Sequence, residues 1–155
     1  MTYMALYLCI IIVSQMALSF LINIQLVYLL FVLFLHTNGL KKTLLLSILF
    51  AIMMGMIYGF GYYILGYLYI YPVLLILTHI LSYKKRNPLY LAMIGLLCGF
   101  LFGFLFSIQD SYLYKIPFSI YYLRGLPYDV IHGLSNFFTV WILYPILYKI
   151  EQRAN

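Results

Sequence analysis

The chain has 155 residues, of which 66% are hydrophobic, 20% aromatic and only 8% charged, and its formal net charge is +6. A soluble domain carries about a quarter charged residues, so this composition excludes a water-soluble fold. In a soluble protein the excess of Lys and Arg would suggest a nucleic-acid partner, but here these residues lie in short segments between apolar runs, where they orient membrane helices, and no nucleic acid is implied.

The long apolar runs predict an all-α integral membrane protein that lies in the lipid bilayer. A segment that crosses a bilayer must pair every backbone group internally, and continuous runs favour helices over the alternating pattern of a barrel. Polar, Gly and Pro clusters predict the breaks between helices. The six predicted helices cover roughly 3–21, 24–37, 41–60, 63–82, 88–107 and 127–150. No linker or clear repeat interrupts the chain, which predicts one transmembrane domain over 1–155.

The first two predicted helices are short for a membrane span. A full span needs about 20 residues, so one long helix or a re-entrant pair remains open for this part of the chain. Basic residues are distributed unequally between the two ends of the predicted bundle. With six spans, one end carries Lys41, Lys42, Lys84, Lys85, Arg86, Lys149 and Arg153, and the other carries Lys115 and Arg124. The positive-inside rule then predicts that both termini are cytoplasmic.

Tyrosines are concentrated at the predicted outer end, where two carboxamides also lie. Asn23 and Gln25 lie in the first outer turn, and Tyr62, Tyr67 and Tyr69 follow the second. An interfacial belt of tyrosines should occur at both membrane faces, but the inner end has few. The excess therefore favours an outward-facing aromatic pocket for a small molecule, in which rings supply contact area and hydroxyl groups supply hydrogen bonds.

The fifth predicted helix contains small residues at a spacing of four, namely Gly95, Gly99 and Gly103. Small residues at this spacing form a ridge on which a neighbouring helix backbone approaches closely. Packing within the protein is the preferred interpretation of this ridge, ahead of a surface for a partner protein.

The last predicted helix carries a polar stripe. Pro127 is expected at the helix start, where its missing N–H costs nothing, and Asp129 in the first turn, where the helix dipole favours an anion. Spacings of three and four put Asp129, His132 and Asn136 on one face, which predicts that they point to protein or a wet cavity. Ligand binding is favoured for Asp129 and His132, and interhelical hydrogen bonding for Asn136. Arg124, just before this helix, would hold a ligand carboxylate or phosphate at the same mouth, or is simply solvated.

Common catalytic motifs do not occur in the sequence. It has no GxxxxGK[ST], GxSxG or HExxH pattern, and three acidic residues are too few for a phosphoryl-transfer or metal-hydrolase site. We therefore predict no enzymatic activity, no catalytic residue and no bound metal. The alternative is a small integral-membrane enzyme or processing factor that uses Asp129 and His132 for acid–base chemistry. A purely structural membrane partner is a third possibility.

One segment of the last helix resembles a known family. GLPYDVIHGLSN, followed by LYPILYKI, is similar to the ending of the substrate-binding S components of energy-coupling factor (ECF) vitamin transporters. That family ends in G-(I/L)-P-(F/Y)-D-x-x-H-x-x-x-N and a following P-L-Y-K segment. INIQLV and YGFGYYILGYLYIYP give weaker matches near the first and second outer turns. The resemblance covers most of the chain and all six predicted helices.

The resemblance implies a substrate-binding subunit of an ABC importer in the bacterial cytoplasmic membrane. Such a subunit captures a water-soluble vitamin or vitamin precursor from outside, in a pocket that Asp129, His132 and Asn136 would shape or line. Its implied partners are a transmembrane coupling (T) subunit and two cytoplasmic ATPases. Those ATPases use ATP, and this chain itself would bind no cofactor.

The resemblance also implies a docking surface for the coupling subunit on the first helix. Ala5, Cys9 and Ala17 are the nearest equivalents of the Ala-x-x-x-Ala pattern that is common in the family. The chain departs from the family at two further positions. Gln25 stands where an acidic residue is expected, and Gly66 stands where Asn is common, so the polar lining is expected to differ from that of relatives.

Overall fold

The computed structural model describes residues 2–21, 23–83 and 85–154; Met1, Ile22, Asn155 and the basic residue Lys84 lie outside this description. Within these ranges the regular elements are α-helices, which confirms the all-α prediction. They are α1 (Thr2–Ala17), α2 (Val27–Asn38), α3 (Leu40–Tyr58), α4 (Tyr62–Ser82), α5 (Pro88–Tyr114) and α6 (Phe118–Ala154).

Four of these helices, α3 to α6, are long and apolar enough to cross a membrane by length and composition. The other two are apolar but shorter, with 16 residues in α1 and 12 in α2. At 1.5 Å per residue they rise only about 24 and 18 Å, against a hydrocarbon core of about 30 Å. The chain is compatible with a multi-pass membrane protein, and the count of six spans stays a prediction.

α1 and α2 pack side by side in opposite directions. The Tyr3 ring stacks on Phe34 at 6.2 Å between ring centroids, and the Tyr7 hydroxyl donates to the Leu30 carbonyl at 3.1 Å. The two helices therefore run antiparallel to each other, and the alternative of one long helix is wrong. The Tyr3 hydroxyl also donates to the Glu151 carboxylate at 2.8 Å, so the two described chain ends lie at one end of the bundle.

α2 lies at the centre of the bundle. Eight of its 12 residues are buried, because its sequence VYLLFVLFL is apolar on every face and the other helices pack around it. Its Phe31 ring contacts Phe50 of α3 at 5.7 Å and Tyr71 of α4 at 5.3 Å. This short helix therefore joins α3 and α4 in one aromatic core.

α5 and α6 approach each other backbone to backbone along the glycine ridge. A Cβ atom added to Gly99 would lie 2.6 Å from the Gly133 nitrogen and 3.0 Å from the His132 carbonyl carbon, so only glycine fits. Gly95 similarly faces the backbone of Asn136 at 3.3 Å. The ridge serves packing within the protein, as the preferred interpretation predicted.

The boundary between α5 and α6 differs from the prediction. α5 continues to Tyr114 and α6 begins at Phe118, after a short turn in which Lys115 has a left-handed backbone with φ of 57°. Pro127 therefore lies inside α6 instead of starting it, and Asp129 lies about three turns from the helix start. The predicted N-terminal roles of both residues are wrong. The φ of proline is helical, so a helix can continue through Pro127, at the cost of one N–H bond and of crowding between the ring and the carbonyl four residues back.

A buried polar network joins three helices near the end that holds the chain ends. His36 of α2 shares one hydrogen bond through Nδ1 with the Tyr144 hydroxyl at 2.7 Å. A second runs through Nε2 to the Ser82 hydroxyl at 3.0 Å. Both imidazole nitrogens are therefore paired, which is how a polar ring is tolerated among apolar helices.

We expect Tyr144→Phe to lower the free energy of unfolding by about 1–2 kcal/mol, because it leaves His36 Nδ1 without a partner in a half-buried position. Chemical unfolding in detergent measures this difference. Tyr112→Phe is the matched control, because the Tyr112 side chain is 73% exposed and should tolerate loss of its hydroxyl. Equal stability of the two variants would contradict a structural role for the network.

Candidate binding site

A cavity of about 350 Å³ opens at the end of the bundle opposite the chain ends; we call it the amide cavity. It lies between the end of α1, the segment that joins α1 to α2, the end of α3, and the sides of α4, α5 and α6. Its lining residues are Gln15, Leu18, Ser19, Leu21, Asn23, Ile24, Gln25, Tyr58, Tyr67, Phe102 and His132. Four of the predicted binding residues, Asn23, Gln25, Tyr67 and His132, are thus brought together.

Hydrogen bonds hold the segment between α1 and α2 against α6. Asn23 has a left-handed backbone with φ of 55°, and its amide donates to the Tyr128 carbonyl at 2.9 Å. The Gln25 backbone N–H donates to the Ser135 hydroxyl at 3.1 Å. The Gln25 side-chain amide forms a further hydrogen bond with His132 Nε2. The polar stripe of α6 therefore positions the two carboxamides at the cavity wall.

Aromatic rings form the opposite wall of the amide cavity. The Phe102 ring packs edge-on against His132 at 4.9 Å and contacts Tyr67 at 6.2 Å. Tyr67 in turn packs on Tyr71 at 5.2 Å and Phe106 at 5.9 Å. These contacts fix Tyr67 and His132 in place, so a ligand would meet a preformed surface with both aromatic and hydrogen-bonding groups.

A second cavity, of about 180 Å³, adjoins the first; we call it the carboxylate cavity. Its lining residues are Asn23, Phe102, Gly103, Phe106, Ser107, Asp110, Tyr121, Gly125, Tyr128, Asp129 and His132. Asn23, Phe102 and His132 line both cavities. The two spaces are therefore neighbours, and one molecule of moderate size can contact both.

Two carboxylates in the carboxylate cavity have different surroundings. Asp110 accepts a hydrogen bond from the Tyr121 hydroxyl at 2.6 Å. Asp129 is only 6% exposed, and its Oδ2 atom is buried with no hydrogen-bond partner among the described residues. Its carboxylate lies against Gly103, where an added Cβ would overlap the carboxylate atoms. The glycine ridge thus makes the space in which Asp129 is buried.

Asn136 lies on the same stripe of α6 but lines neither cavity. It is 1% exposed, and its amide donates to the Gly95 carbonyl of α5 at 3.3 Å. This geometry is that of an interhelical hydrogen bond, the interpretation favoured for this deeper residue. Asn136 is placed to hold α5 against α6 rather than to contact a ligand.

The remaining predicted binding residues lie outside both cavities. Tyr62 is exposed, and its backbone carbonyl accepts from the Gln109 amide at 3.0 Å. The Tyr69 hydroxyl donates to the Leu105 carbonyl at 3.2 Å on an exposed side of the bundle. Arg124 is also exposed on α6. The carboxylate or phosphate partner suggested for Arg124 would therefore lie away from the cavity walls.

The candidate docking residues Ala5, Cys9 and Ala17 are exposed on α1. Ala5 and Cys9 are four residues apart and leave a shallow strip on which another helix could approach closely, whereas Ala17 lies further along α1, beyond the exposed Val13. The geometry places this strip on the outside of the bundle, away from the cavity lining.

Sequence reasoning missed several lining residues. Gln15, Tyr58 and Phe102 were given no role, because they lie inside apolar runs. Ser107 is the last residue of the fifth predicted helix, and Asp110 lies in the predicted break that follows it. Asp110 carried a usable signal, because it is one of only three acidic residues in the chain. In a membrane helix such a residue is a functional candidate by default.

The described residues contain no group of three or more His, Cys, Asp and Glu side chains that could hold a metal ion. His132 pairs with Gln25, and Asp129 lies against Gly103; no hydrogen bond joins these two described side chains to each other.

Comparisons of the chain with family models, with curated proteins and with solved structures gave no match. The functional assignment therefore rests on the site itself and on the sequence resemblance of the last helix.

Proposed function

We propose that this chain is the membrane-embedded substrate-binding subunit of an ECF-type ABC importer. It captures a water-soluble vitamin or vitamin precursor from outside and delivers it inward. The observation that supports this proposal best is the pair of adjoining cavities at one end of the bundle, lined by Asn23, Gln25, Tyr67 and His132.

The dimensions and chemistry of the cavities fit a small water-soluble ligand. Small-molecule sites commonly enclose about 300–1,000 Å³, and the amide cavity alone has about 350 Å³. Its wall combines aromatic faces with the amides of Asn23 and Gln25 and the imidazole of His132. Such groups recognise the ring and the hydrogen-bonding edge of a polar ring-containing molecule.

The charge distribution supports an outward-facing site. The cavity end holds Lys115 and Arg124, whereas the opposite end holds Lys41, Lys42, Lys85, Arg86, Lys149 and Arg153. Because the basic end of a membrane protein faces the cytoplasm, the cavities would open to the outside. This is the side from which an importer collects its substrate in the bacterial cytoplasmic membrane.

The proposed partners supply the energy that this chain lacks. A transmembrane coupling subunit would dock on α1 at Ala5, Cys9 and Ala17, and two cytoplasmic ATPases would hydrolyse ATP. The chain itself would act as a binding protein without a cofactor or a chemical step. In the enzyme alternative, Asp129 and His132 would share a proton, which the pairing of His132 with Gln25 does not favour.

Affinity purification of the C-terminally tagged protein from its native membrane in mild detergent tests this proposal. We expect a second membrane protein and two ATPases to co-purify with it. Cys9→Phe should reduce their recovery strongly, because a large ring on the α1 strip blocks close helix approach.

The matched control is Ile80→Phe, which places the same ring on an exposed position of α4, where Ile80 is 65% exposed. Its recovery of partners should equal that of the unchanged protein. Folded, intact protein that recovers no ATPase would contradict the importer assignment.

A further inference from the structure

The carboxylate cavity concentrates negative charge in a basic protein. The formal net charge of the chain is +6, with only three acidic residues in all. Two of these, Asp110 and Asp129, line this one cavity of about 180 Å³. Its lining residues, all within the described part of the chain, include no Lys or Arg.

The charge of the Asp129 carboxylate is not compensated by the described residues around it. Its Oδ2 atom is buried without a hydrogen-bond partner among the described residues, although the residue lines the cavity. A buried carboxylate without a counter-ion is unfavourable, and in a bilayer such a group generally marks a substrate or ion pathway. Asp129 therefore lacks a counter-charge, which a positively charged group in the cavity could supply.

The other walls of the carboxylate cavity also suit a cation. Phe102, Phe106, Tyr121 and Tyr128 contribute aromatic rings to the lining. The face of an aromatic ring attracts an ammonium or other organic cation, and aromatic walls with a carboxylate are a common arrangement for quaternary ammonium groups. A metal ion would instead need more oxygen ligands than two carboxylates supply, one of which already accepts from Tyr121.

We propose that the ligand of this site is an organic cation. Its charged end lies in the carboxylate cavity beside Asp129 and Asp110. Its neutral, hydrogen-bonding end extends past His132 into the amide cavity, toward Asn23 and Gln25. This inference rests on the proposed binding function and specifies the charge of the substrate.

The test compares ligand pairs of equal shape that differ in charge. Purified full-length protein in an uncharged detergent is titrated calorimetrically with 1-methylnicotinamide, a ring cation, and with 3-methylbenzamide, its neutral isostere. Choline and 3,3-dimethylbutan-1-ol form a second pair, without a ring. Sodium and potassium chloride are tested alone, at matched ionic strength.

We expect a cation of at least one pair to bind more tightly than its neutral isostere. Asp129→Asn should weaken that binding about 10- to 100-fold, the range expected on losing a charge-assisted contact. Glu151→Gln is the matched control, because it removes the same charge at the opposite end of the bundle and should leave the affinity unchanged.

Four results would overturn the proposal. The first two are binding of the neutral isosteres as tight as that of the cations, and cation binding that is unchanged by Asp129→Asn. Absence of binding by every organic cation at 10 mM, in folded protein, would equally rule it out. Binding of sodium or potassium alone, lost in Asp129→Asn, would assign the cavity to an inorganic ion instead.

Failure of this inference is distinguishable from failure of the proposed function. If the ATPases co-purify with the protein but no organic cation binds, the importer assignment stands and the charge assignment is wrong. If an organic cation binds through Asp129 but no ATPase co-purifies, the site is a cation site in a protein of another class.

Discussion

Gly99→Ala is expected to lower the free energy of unfolding by about 3 kcal/mol, the upper end of what overpacking commonly costs. The added methyl group would lie 2.6 Å from the Gly133 nitrogen, and backbone atoms cannot move aside as a flexible side chain can. α5 and α6 would have to separate along their contact. Reversible unfolding in mixed detergent, followed by circular dichroism, measures the loss.

Gly125→Ala is the matched control for this prediction. Gly125 also lies in a helix, but a Cβ atom there would meet nothing within 4 Å. Alanine is favoured over glycine in a helix by about 1 kcal/mol, so this variant should be as stable as the unchanged protein or slightly more stable. Similar stability losses in the two variants would show that the close approach of α6 to Gly99 does not cause the loss of stability in Gly99→Ala.

Gly103→Ala is expected to cost about 2–3 kcal/mol for a different reason, because the new methyl group would occupy the space of the Asp129 carboxylate. The clash is between the new methyl group and the Asp129 side chain, so shortening the Asp129 side chain relieves it. Asp129→Ala deletes the carboxylate and should cost little, since that group has an unpaired buried oxygen. The double variant should therefore recover most of the stability that Gly103→Ala loses.

A double-mutant cycle measures this coupling between Gly103 and Asp129 directly. We expect an interaction free energy of about 1–3 kcal/mol in favour of the double variant. Additive effects of the two substitutions would contradict the contact between the α5 ridge and the Asp129 carboxylate. A large loss with Asp129→Ala alone would instead indicate that the carboxylate stabilises the protein.

Most of the helix pattern could be predicted from the sequence, because apolar runs and polar breaks alternate clearly. The α5 start was predicted at residue 88, and the structure explains it: the Asn87 side chain accepts from the Leu89 and Tyr90 backbone N–H groups, with Pro88 in the first turn. The start of α6 was not predicted correctly. The sequence around Pro127 looks the same whether the proline starts a helix or lies inside one.

The candidate site could be predicted only in part. The stripe on α6 follows from helical spacing, which identified Asp129 and His132 correctly as inward-facing residues. Spacing within one helix does not show what lies opposite. Depth along the helix, and not spacing, separated Asn136, which is paired with the Gly95 carbonyl, from Asp129 and His132. Spacing on α6 also gave no reason to choose Asp110 of α5.

The backbone contact between α5 and α6 has a consequence for how a ligand reaches the site. Packed interiors resist gradual sliding, so these two helices should behave as one rigid body. Residues 23–25, by contrast, are held on α6 by three hydrogen bonds of Asn23 and Gln25, each worth about 1 kcal/mol. Detachment of these residues would widen the mouth of the amide cavity. The association rate of a ligand is then expected to depend on how often the mouth widens as well as on the shape of the cavity.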